Sequence, residues 1–268
     1  MAPPADDLAT GAPQDHSRDS AEGRYRLSRA AMWLLLPSVL LAPLSGFLYF
    51  MVRVTESYAP YHGWNLLWTA FDIGAEGNVA VWFAAAMWLL VGTLAALAAI
   101  TSDRFRKSWW LFAAVAVIAS ADEAAALHER LFFVGDRLAP VLPGVLHYSW
   151  VIPGTAIALV VGALLIRLVL ALRTRVTIGL IGSATVFLLG ALVMESITGI
   201  VERDQGRSDL YVALMYVEET FELIGVAWAV IALASMFCLT RLPGGLRLAF
   251  DGFRPNPPGK GSDRRAST

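Results

Sequence analysis

The stretch NVAVWFAAAMWLLVGTLAALAAIT, residues 78–101, decides the fold class of this chain. It runs for 24 positions without a charged side chain, whereas about 20 apolar residues already let a helix cross the hydrocarbon core of a bilayer. Apolar blocks of similar length lie at 30–52, 108–134, 144–172, 176–202 and 210–239. The sequence therefore predicts an all-α, polytopic integral membrane protein, a bundle of six transmembrane helices.

The composition supports this class and excludes others. Of the 268 residues, 57% are hydrophobic and only 16% are charged, whereas a typical soluble domain has about 25% charged residues. A net charge of −1 excludes a basic nucleic-acid-binding protein. The single cysteine, Cys238, excludes a disulfide scaffold and a cysteine-based zinc site.

The two ends of the chain differ from the apolar middle. Residues 1–29 and 243–268 lack apolar periodicity, so we predict disordered tails around a transmembrane domain at 30–242. Sixteen of the 21 Lys and Arg residues lie on the tails and on the segments at one side of the spans, and five on the other side. Because cytoplasmic segments carry the excess of basic residues, both termini are predicted to lie in the cytoplasm.

The segment between the first two spans shows a helical pattern. Trp64, Leu67, Trp68 and Phe71 recur at i, i+3, i+4 and i+7, the spacing of one apolar helical face. Tryptophan is common at the membrane–water interface. The pattern predicts a short helix on the outer membrane surface, and an ordinary loop with anchoring tryptophans is the alternative.

Acidic residues inside the third, fifth and sixth apolar blocks are the unusual feature of the sequence. An isolated Asp at the centre of a span costs roughly 2.5–3.5 kcal/mol on insertion scales. Such groups must therefore be protonated, paired, solvated in a cavity or bound to a cation. Eight of them lie in or beside three spans: Asp122, Glu123, Glu129, Glu195, Glu202, Glu218, Glu219 and Glu222.

Helical spacing predicts that three acidic stripes converge. Residues seven apart lie about 20° from one another around a helix and residues four apart about 40°, so Asp122 with Glu129, Glu195 with Glu202, and Glu218 with Glu222 each share a face. All three stripes lie at the same depth in the outer half of the bilayer in the predicted topology. Basic residues near these spans lie only at their outer ends, so salt bridges do not neutralise the cluster.

The first hypothesis is a metal-dependent enzyme. Carboxylates on facing helices with one or two histidines form the ligand sets of di-iron and di-manganese bundles, so a divalent metal is expected, with iron or manganese favoured over zinc. The Glu-x-x-His motif of those bundles is absent. Acyl chains can reach the site, which points to membrane lipids as partners and to a lipidic or isoprenoid substrate. The candidate catalytic residues are Asp122, Glu195 and Glu222, and the candidate metal ligands are Asp122, His128, Glu129, His147, Glu195, Glu218 and Glu222.

Two other functions and one structural role fit the same residues. Buried carboxylic acids can protonate an alkene or epoxide, as a metal-free cyclase or isomerase would require. Intramembrane acids are also typical of proton- or cation-coupled transporters, although no inverted repeat is visible here. In a purely structural role, neutral carboxyl groups would form hydrogen bonds between helices.

One pattern in the third block resembles that of a known group of proteins. The pattern Ser-x-Asp-Glu-x4-His-Glu, here from Ser120 to Glu129, together with acidic fifth and sixth spans, is similar to that of uncharacterised bacterial polytopic membrane proteins. The resemblance covers the helical core from about the second span onward. It implies a location in the bacterial plasma membrane and carries no activity. Ceramidase-like hydrolases need three histidines for zinc, and only His128 and His147 are near enough in sequence.

Overall fold

The computed structural model of the protein describes residues 24–60, 62–138, 147–242 and 244–254. A 3-10 turn at Met32–Leu34 interrupts the first long helix, another lies at Glu129–Leu131, and a π-helical segment, Leu189–Met194, lies within the seventh helix. In chain order the elements are β1 (Arg24–Arg26), α1 (Leu27–Val54), α2 (Gly63–Phe71), α3 (Val79–Thr101), α4 (Arg106–Ala125), α5 (Phe132–Leu138), α6 (Val151–Ala171), α7 (Thr174–Gln205), α8 (Asp209–Ala234), β2 (Phe237–Leu242) and β3 (Gly245–Phe250).

Five of these helices, α1, α3, α4, α6 and α7, are long and apolar enough to cross a membrane. Helix α8 has 26 residues and carries three glutamates near its middle. Large apolar side chains point away from the bundle: Trp82, Ile118, Leu159 and Ile178 are between 61% and 70% exposed. Apolar surface of this extent marks contact with lipid or with another protein. The predicted helical class is confirmed, with long apolar helices as its main elements.

A small antiparallel sheet, in the order β1-β2-β3, corrects the prediction for the two tails. Residues 24–29 and 245–250 are ordered in strands and in the start of α1, so the disordered-tail prediction is wrong for them. The segments FCLTRL and GLRLAF pair with each other, and Phe237 and Phe250 pack against the helical core. The last helix consequently ends at Ala234, and Cys238 lies on a strand opposite Arg26. Residues 1–23 and 255–268 lie outside the described residues.

The sheet gathers several chain segments at one end of the bundle, which we call the sheet end. The strand before α1 pairs directly with the strand after α8. The α3–α4 connection lies there as well, because the Arg104 guanidinium is 4.7 Å from the centre of the Phe253 ring. So does the α6–α7 connection, since the Arg173 backbone N–H donates to the Gly252 carbonyl at 2.8 Å. The long helices therefore run back and forth between the sheet end and the opposite end.

Small residues allow the helices to approach closely. Ala98 on α3 and Ala116 on α4 are fully buried. A Cβ atom on Gly225 of α8 would lie only 2.7 Å from the backbone nitrogen of Phe187 on α7. Close contact between backbones through such residues is the usual way in which membrane helices pack. The α7–α8 contact fixed in this way holds the region described in the next subsection.

The helix predicted between the first two spans is present as α2. It packs against the bundle: the Trp64 ring meets the Phe47 ring edge-on at 6.2 Å, and Trp68 Nε1 donates to the Tyr216 hydroxyl at 3.2 Å. Leu67, which also belongs to the predicted apolar face, is 44% exposed. The loop alternative is therefore wrong, and the position of α2 on the membrane surface stays a prediction.

Candidate functional site

Helix α4 ends earlier than the sequence predicts, and its break creates the first part of the site. The helix stops at Ala125, and Ala126 has a left-handed backbone with a φ of 43°. Asp122 Oδ1 accepts the backbone N–H of His128 at 2.6 Å. A side chain that takes a backbone N–H in this way competes with the helical hydrogen bond. The prediction of a span to residue 134 is therefore wrong, and Glu129 does not share a helical face with Asp122 but is exposed.

The same aspartate orients the histidine ring. Asp122 Oδ2 lies 3.0 Å from His128 Nδ1. A carboxylate at one ring nitrogen fixes the orientation of an imidazole and leaves the other nitrogen for a ligand or a proton. On its other side the His128 ring packs on Trp150, with 4.5 Å between ring centres. Trp150 Nε1 in turn donates to Glu195 Oε1 at 3.2 Å, which connects α4 with α7.

Beyond Glu195 lies a buried polar contact between α7 and α8. The Glu218 carboxyl faces the side chains of Glu195 and Thr198. Glu218 is 6% exposed and Thr198 is 2% exposed. Glu218 Oε2 and Thr198 Oγ1 have no hydrogen-bond partner among the described residues. We refer to Glu195, Thr198 and Glu218 as the inter-helix oxygen cluster.

An irregular segment of α7 positions this cluster. The π-helical residues Leu189–Met194 immediately precede Glu195, and π-helical turns occur frequently at functional sites. Within this segment, a Cβ atom on Gly190 would lie 2.8 Å from Glu222 Cγ and 2.9 Å from the Glu218 carbonyl oxygen. Glycine is therefore required for α7 to lie this close to the acidic face of α8.

A second group of carboxyls lies beside the inter-helix oxygen cluster. Glu123 of α4 and Glu219 and Glu222 of α8 line a small cavity with Trp88 and Phe187. It offers about 10 Å³ for the centre of a water molecule, which is close to the minimum for one water. The sequence placed Glu222 in the cluster but placed Glu123 and Glu219 beside it. The structure brings all three together because α4 and α8 face each other across α3.

The C-terminal end of α7, away from the sheet, carries a separate group of polar side chains, which we call the rim. Tyr148 donates its hydroxyl hydrogen to Glu202, and Arg207 Nε donates to the same carboxylate at 2.9 Å. His147 Nε2 lies 4.0 Å from Glu202 Oε2. Burial, aided by the Glu202 carboxylate, raises the pKa of the Tyr148 phenol. Gly199 makes this packing possible, because a Cβ atom there would lie 2.7 Å from the Tyr148 ring.

The predicted metal ligands thus fall into different surroundings. Asp122, His128, Glu195, Glu218 and Glu222 lie in one connected polar region, whereas Glu129 is exposed and His147 belongs to the rim. Over the described ranges, no three His, Cys, Asp or Glu side chains are placed to hold a metal ion together. A single centre built from all seven predicted ligands is therefore not formed, because α4 ends before Glu129 and the Glu202 rim holds His147. Whether a metal binds stays a prediction.

The electrostatics agree with the expectation that salt bridges do not neutralise this region. In the part of the chain that the structure describes, no Lys or Arg forms a salt bridge with the five glutamates of this region. Glu222 lies within electrostatic reach of the other four. A proton or another cation must supply the missing positive charge. The five are Glu123, Glu195, Glu218, Glu219 and Glu222.

Two contributors to the site were missed by the sequence reasoning. Thr198 lies three residues after Glu195, so helical spacing alone would have placed its hydroxyl on the same face. The π-helical segment and the role of Gly190 had no comparable signal, since neither follows from hydropathy or charge. A hydroxyl beside a buried acid is thus a feature that a search for charged residues overlooks.

Comparison with known proteins places the chain in a family. Residues 26–236 match the family described as Domain of unknown function (DUF8692), and the chain belongs to this family. The matched region includes every long helix and therefore the whole candidate site. No curated protein and no solved structure matches the chain significantly.

Proposed function

We propose that the chain crosses the bacterial plasma membrane six times, with both termini in the cytoplasm and the carboxyl-rich half toward the outside. The pairing of β1 with β2 supports this topology, because strands before α1 and after α8 at the same end of the bundle require an even number of crossings. The five apolar helices together with α8 supply six. The basic residues of the tails favour the cytoplasm for the sheet end.

Within this membrane protein, the candidate site acts as an enzyme on a lipidic or isoprenoid substrate by acid–base chemistry. The proposal rests on the Asp122–His128 pair, in which Asp122 Oδ2 lies 3.0 Å from His128 Nδ1. The neighbouring carboxyl groups have no Lys or Arg partner in the described residues. A histidine oriented by a carboxylate is suited to take a proton, and the aspartate stabilises the imidazolium that results. Glu222, which lines the neighbouring cavity, supplies a proton as a neutral acid to another position of the substrate.

The position of the site supports a lipidic substrate. Glu195 and Glu218 lie within helices whose outer surfaces are apolar. Acyl or isoprenoid chains in the surrounding bilayer reach such a site directly, whereas a large polar substrate would have to lose its hydration. A proton shift along an unsaturated chain, or an acid-started cyclisation, uses the acid and the base described above and adds no atoms beyond protons.

A metal-dependent version of the same enzyme, with iron or manganese, is the second candidate. It is supported by the buried glutamates that lack a basic partner in the described residues. The separation of Glu129 and His147 from the others makes the seven-ligand centre less favourable than the acid–base pair. Assays with and without a chelator distinguish the two versions.

Turnover in deuterium oxide tests the proposed function. The purified protein, reconstituted in lipid nanodiscs, is incubated in D2O with an extract of bacterial lipids and isoprenoids, and the products are analysed by mass spectrometry. An acid–base enzyme introduces deuterium into a lipid species at a carbon position that does not exchange with water. The Asp122→Asn and His128→Gln variants should lose this activity by about 100-fold or more, the range that general acid–base catalysis contributes.

The matched control is Glu76→Gln, which changes an exposed acid outside the long helices and should keep full activity. A chelator that abolishes the labelling would replace the acid–base version with the metal-dependent one. Absence of labelling by the folded protein, combined with proton uptake into proteoliposomes, would reject the enzyme and favour the transporter.

A further inference from the structure

We propose that Glu195, Thr198 and Glu218, the inter-helix oxygen cluster, bind one hard divalent cation of the magnesium, manganese or calcium class. This inference goes beyond the proposed acid–base chemistry, because the cation is held by α7 and α8 and the His128 ring takes no part. It also differs from the predicted seven-ligand iron or manganese centre, because it keeps only Glu195 and Glu218 of those ligands, adds Thr198 and uses no histidine.

The two unpartnered oxygens carry the inference. Buried polar atoms almost always have a hydrogen-bond partner, and an exception requires an explanation such as a bound ion or water. Two exceptions among the described residues, Thr198 Oγ1 on α7 and Glu218 Oε2 on α8, face each other across one helix contact without a hydrogen bond of normal geometry. The threonine is 2% exposed and the glutamate 6% exposed, so bulk water does not satisfy either group.

The chemistry of the donors selects the occupant. All three side chains offer oxygen, which is the ligand that hard cations such as Mg²⁺ and Ca²⁺ prefer. His128, the nearest nitrogen ligand, is held by Asp122 and by the Trp150 ring. A zinc or copper site would require sulfur or more nitrogen ligands.

Charge balance separates a divalent cation from a water molecule. Glu195 and Glu218 together carry two negative charges when both are ionised, and the described residues offer them no Lys or Arg partner. A water molecule would fill the hydrogen bonds of the cluster but would leave two negative charges side by side, one of them on the buried Glu218, which is unfavourable. One divalent cation neutralises both carboxylates at once.

The backbone geometry holds the three donors in place. Glu195 and Thr198 are three residues apart on a regular helical turn and therefore share a face. The π-helical segment before them and Gly190 bring this turn against Glu218. Two carboxylates and a hydroxyl leave coordination positions open, and Mg²⁺ usually fills these with water or with groups of its substrate.

Manganese titration tests the site with Mn²⁺ itself as the probe. The full chain in nanodiscs is stripped with EDTA and titrated with MnCl2, and free Mn²⁺ is followed by electron paramagnetic resonance. One Mn²⁺ per chain is expected, displaced by Mg²⁺ or Ca²⁺. Thr198→Val, which keeps the shape of the side chain, should weaken Mn²⁺ binding at least tenfold, and Glu218→Gln should weaken it at least a hundredfold.

Thr185→Val is the matched control, because Thr185 lies on the same helix, is exposed, and bonds only to the Ile181 carbonyl. Its Mn²⁺ affinity should equal that of the unchanged protein. Circular dichroism and thermal unfolding confirm that each variant is folded. If Glu218→Gln does not fold, Thr198→Val alone still tests the proposal. The proposal is overturned if the folded protein binds no Mn²⁺, or if Thr198→Val binds it unchanged. Because no substrate is needed, a failure here leaves the proposed enzyme untouched, and a failure of the deuterium assay leaves the cation site untouched.

Discussion

The half of the bundle at the sheet end and the half that holds the carboxyls are formed by the same helices but are packed in different ways. Near the sheet, alanines and large apolar side chains such as Trp109 and Phe237 fill the space between helices almost completely. In the other half, α4 breaks, α7 contains a π-helical segment, and two buried oxygens lack partners among the described residues, whereas at the sheet end the single Trp109 Nε1 does. Natural proteins deviate from regular, fully satisfied packing mainly at functional sites. The comparison therefore assigns stability to the first half and function to the second.

The largest effect that tests this comparison is expected from Trp109→Ala at the sheet end. Trp109 is fully buried and meets the Phe250 ring edge-on at 6.3 Å. Loss of a buried Trp side chain costs about 3–5 kcal/mol of the free energy of unfolding. Thermal unfolding in detergent micelles measures the loss. Trp110→Ala is the control, since Trp110 is 46% exposed and should matter little. Equal effects of the two variants would contradict the assignment of stability to this half.

The next largest effect concerns the helix contact beneath the site. Gly190→Leu places side-chain atoms where Glu222 Cγ already lies, 2.8 Å from the position of a Cβ atom. Overpacking of this kind typically costs about 1–3 kcal/mol, and it should also abolish the Mn²⁺ binding proposed above. Gly162→Ala on α6, where a Cβ atom meets no atom within 4 Å, is the control. It should be neutral or slightly stabilising, because alanine favours helix more than glycine does. A Gly190 variant with unchanged unfolding and binding would show that α7 need not lie so close to α8.

A smaller effect, visible only as a pH dependence, is expected at Asp72 between α2 and α3. Burial raises the pKa of the Asp72 carboxyl, against the opposing hydrogen bonds from Gly74, Tyr216 and Ser45. The folded state then binds the proton more tightly than the unfolded state, so stability is greatest in acid and falls as the pH rises from about 4. In Asp72→Asn this fall should become smaller. Thermal unfolding as a function of pH measures it, and an equally steep curve for the variant would count against the prediction.

The smallest effect is expected at the rim of the carboxyl half. Tyr148→Phe removes the hydroxyl that donates to Glu202 and leaves the ring packed against Gly199. A single hydrogen bond of this type contributes roughly 1 kcal/mol to the free energy of unfolding. Chemical denaturation in micelles can resolve this difference, with Tyr58→Phe as the control at a 57% exposed position. A loss of several kcal/mol would mean that the rim stabilises the bundle as strongly as the sheet end does.

Hydropathy was a reliable guide to the helices and a poor one to their ends. The long apolar runs gave each of the long helices to within a few residues at most of their ends, because an uninterrupted apolar segment has few other stable conformations in a membrane. The prediction was wrong where a local hydrogen bond or a strand competed with the helix. The Asp122 side chain ends α4 at Ala125, and pairing with β1 and β3 makes the segment after Ala234 a strand, β2. Neither competitor changes the hydropathy of the segment in which it lies.

The candidate site was predictable in its residue types and only partly in its grouping. Spacing indicated that Glu195, Glu218 and Glu222 face one region, and the structure places them close together where α7 meets α8. Helical spacing did not group Glu123 and Glu219 with them, because that grouping depends on how α4 and α8 are placed in the bundle. Thr198 went unnoticed because a single hydroxyl carries no signal until its neighbours are known.

The sequence alone determined that this chain forms long apolar helices and that acids within them need a proton or another cation, since both conclusions follow from the transfer of side chains out of water. Only the tertiary structure decided which acids share a pocket and which side chains hold His128 and Thr198. It also showed that the segments before the first long helix and after the last one meet in one sheet. These features depend on distances between segments far apart in sequence, and such distances are set by packing and backbone irregularities that leave no trace in local composition.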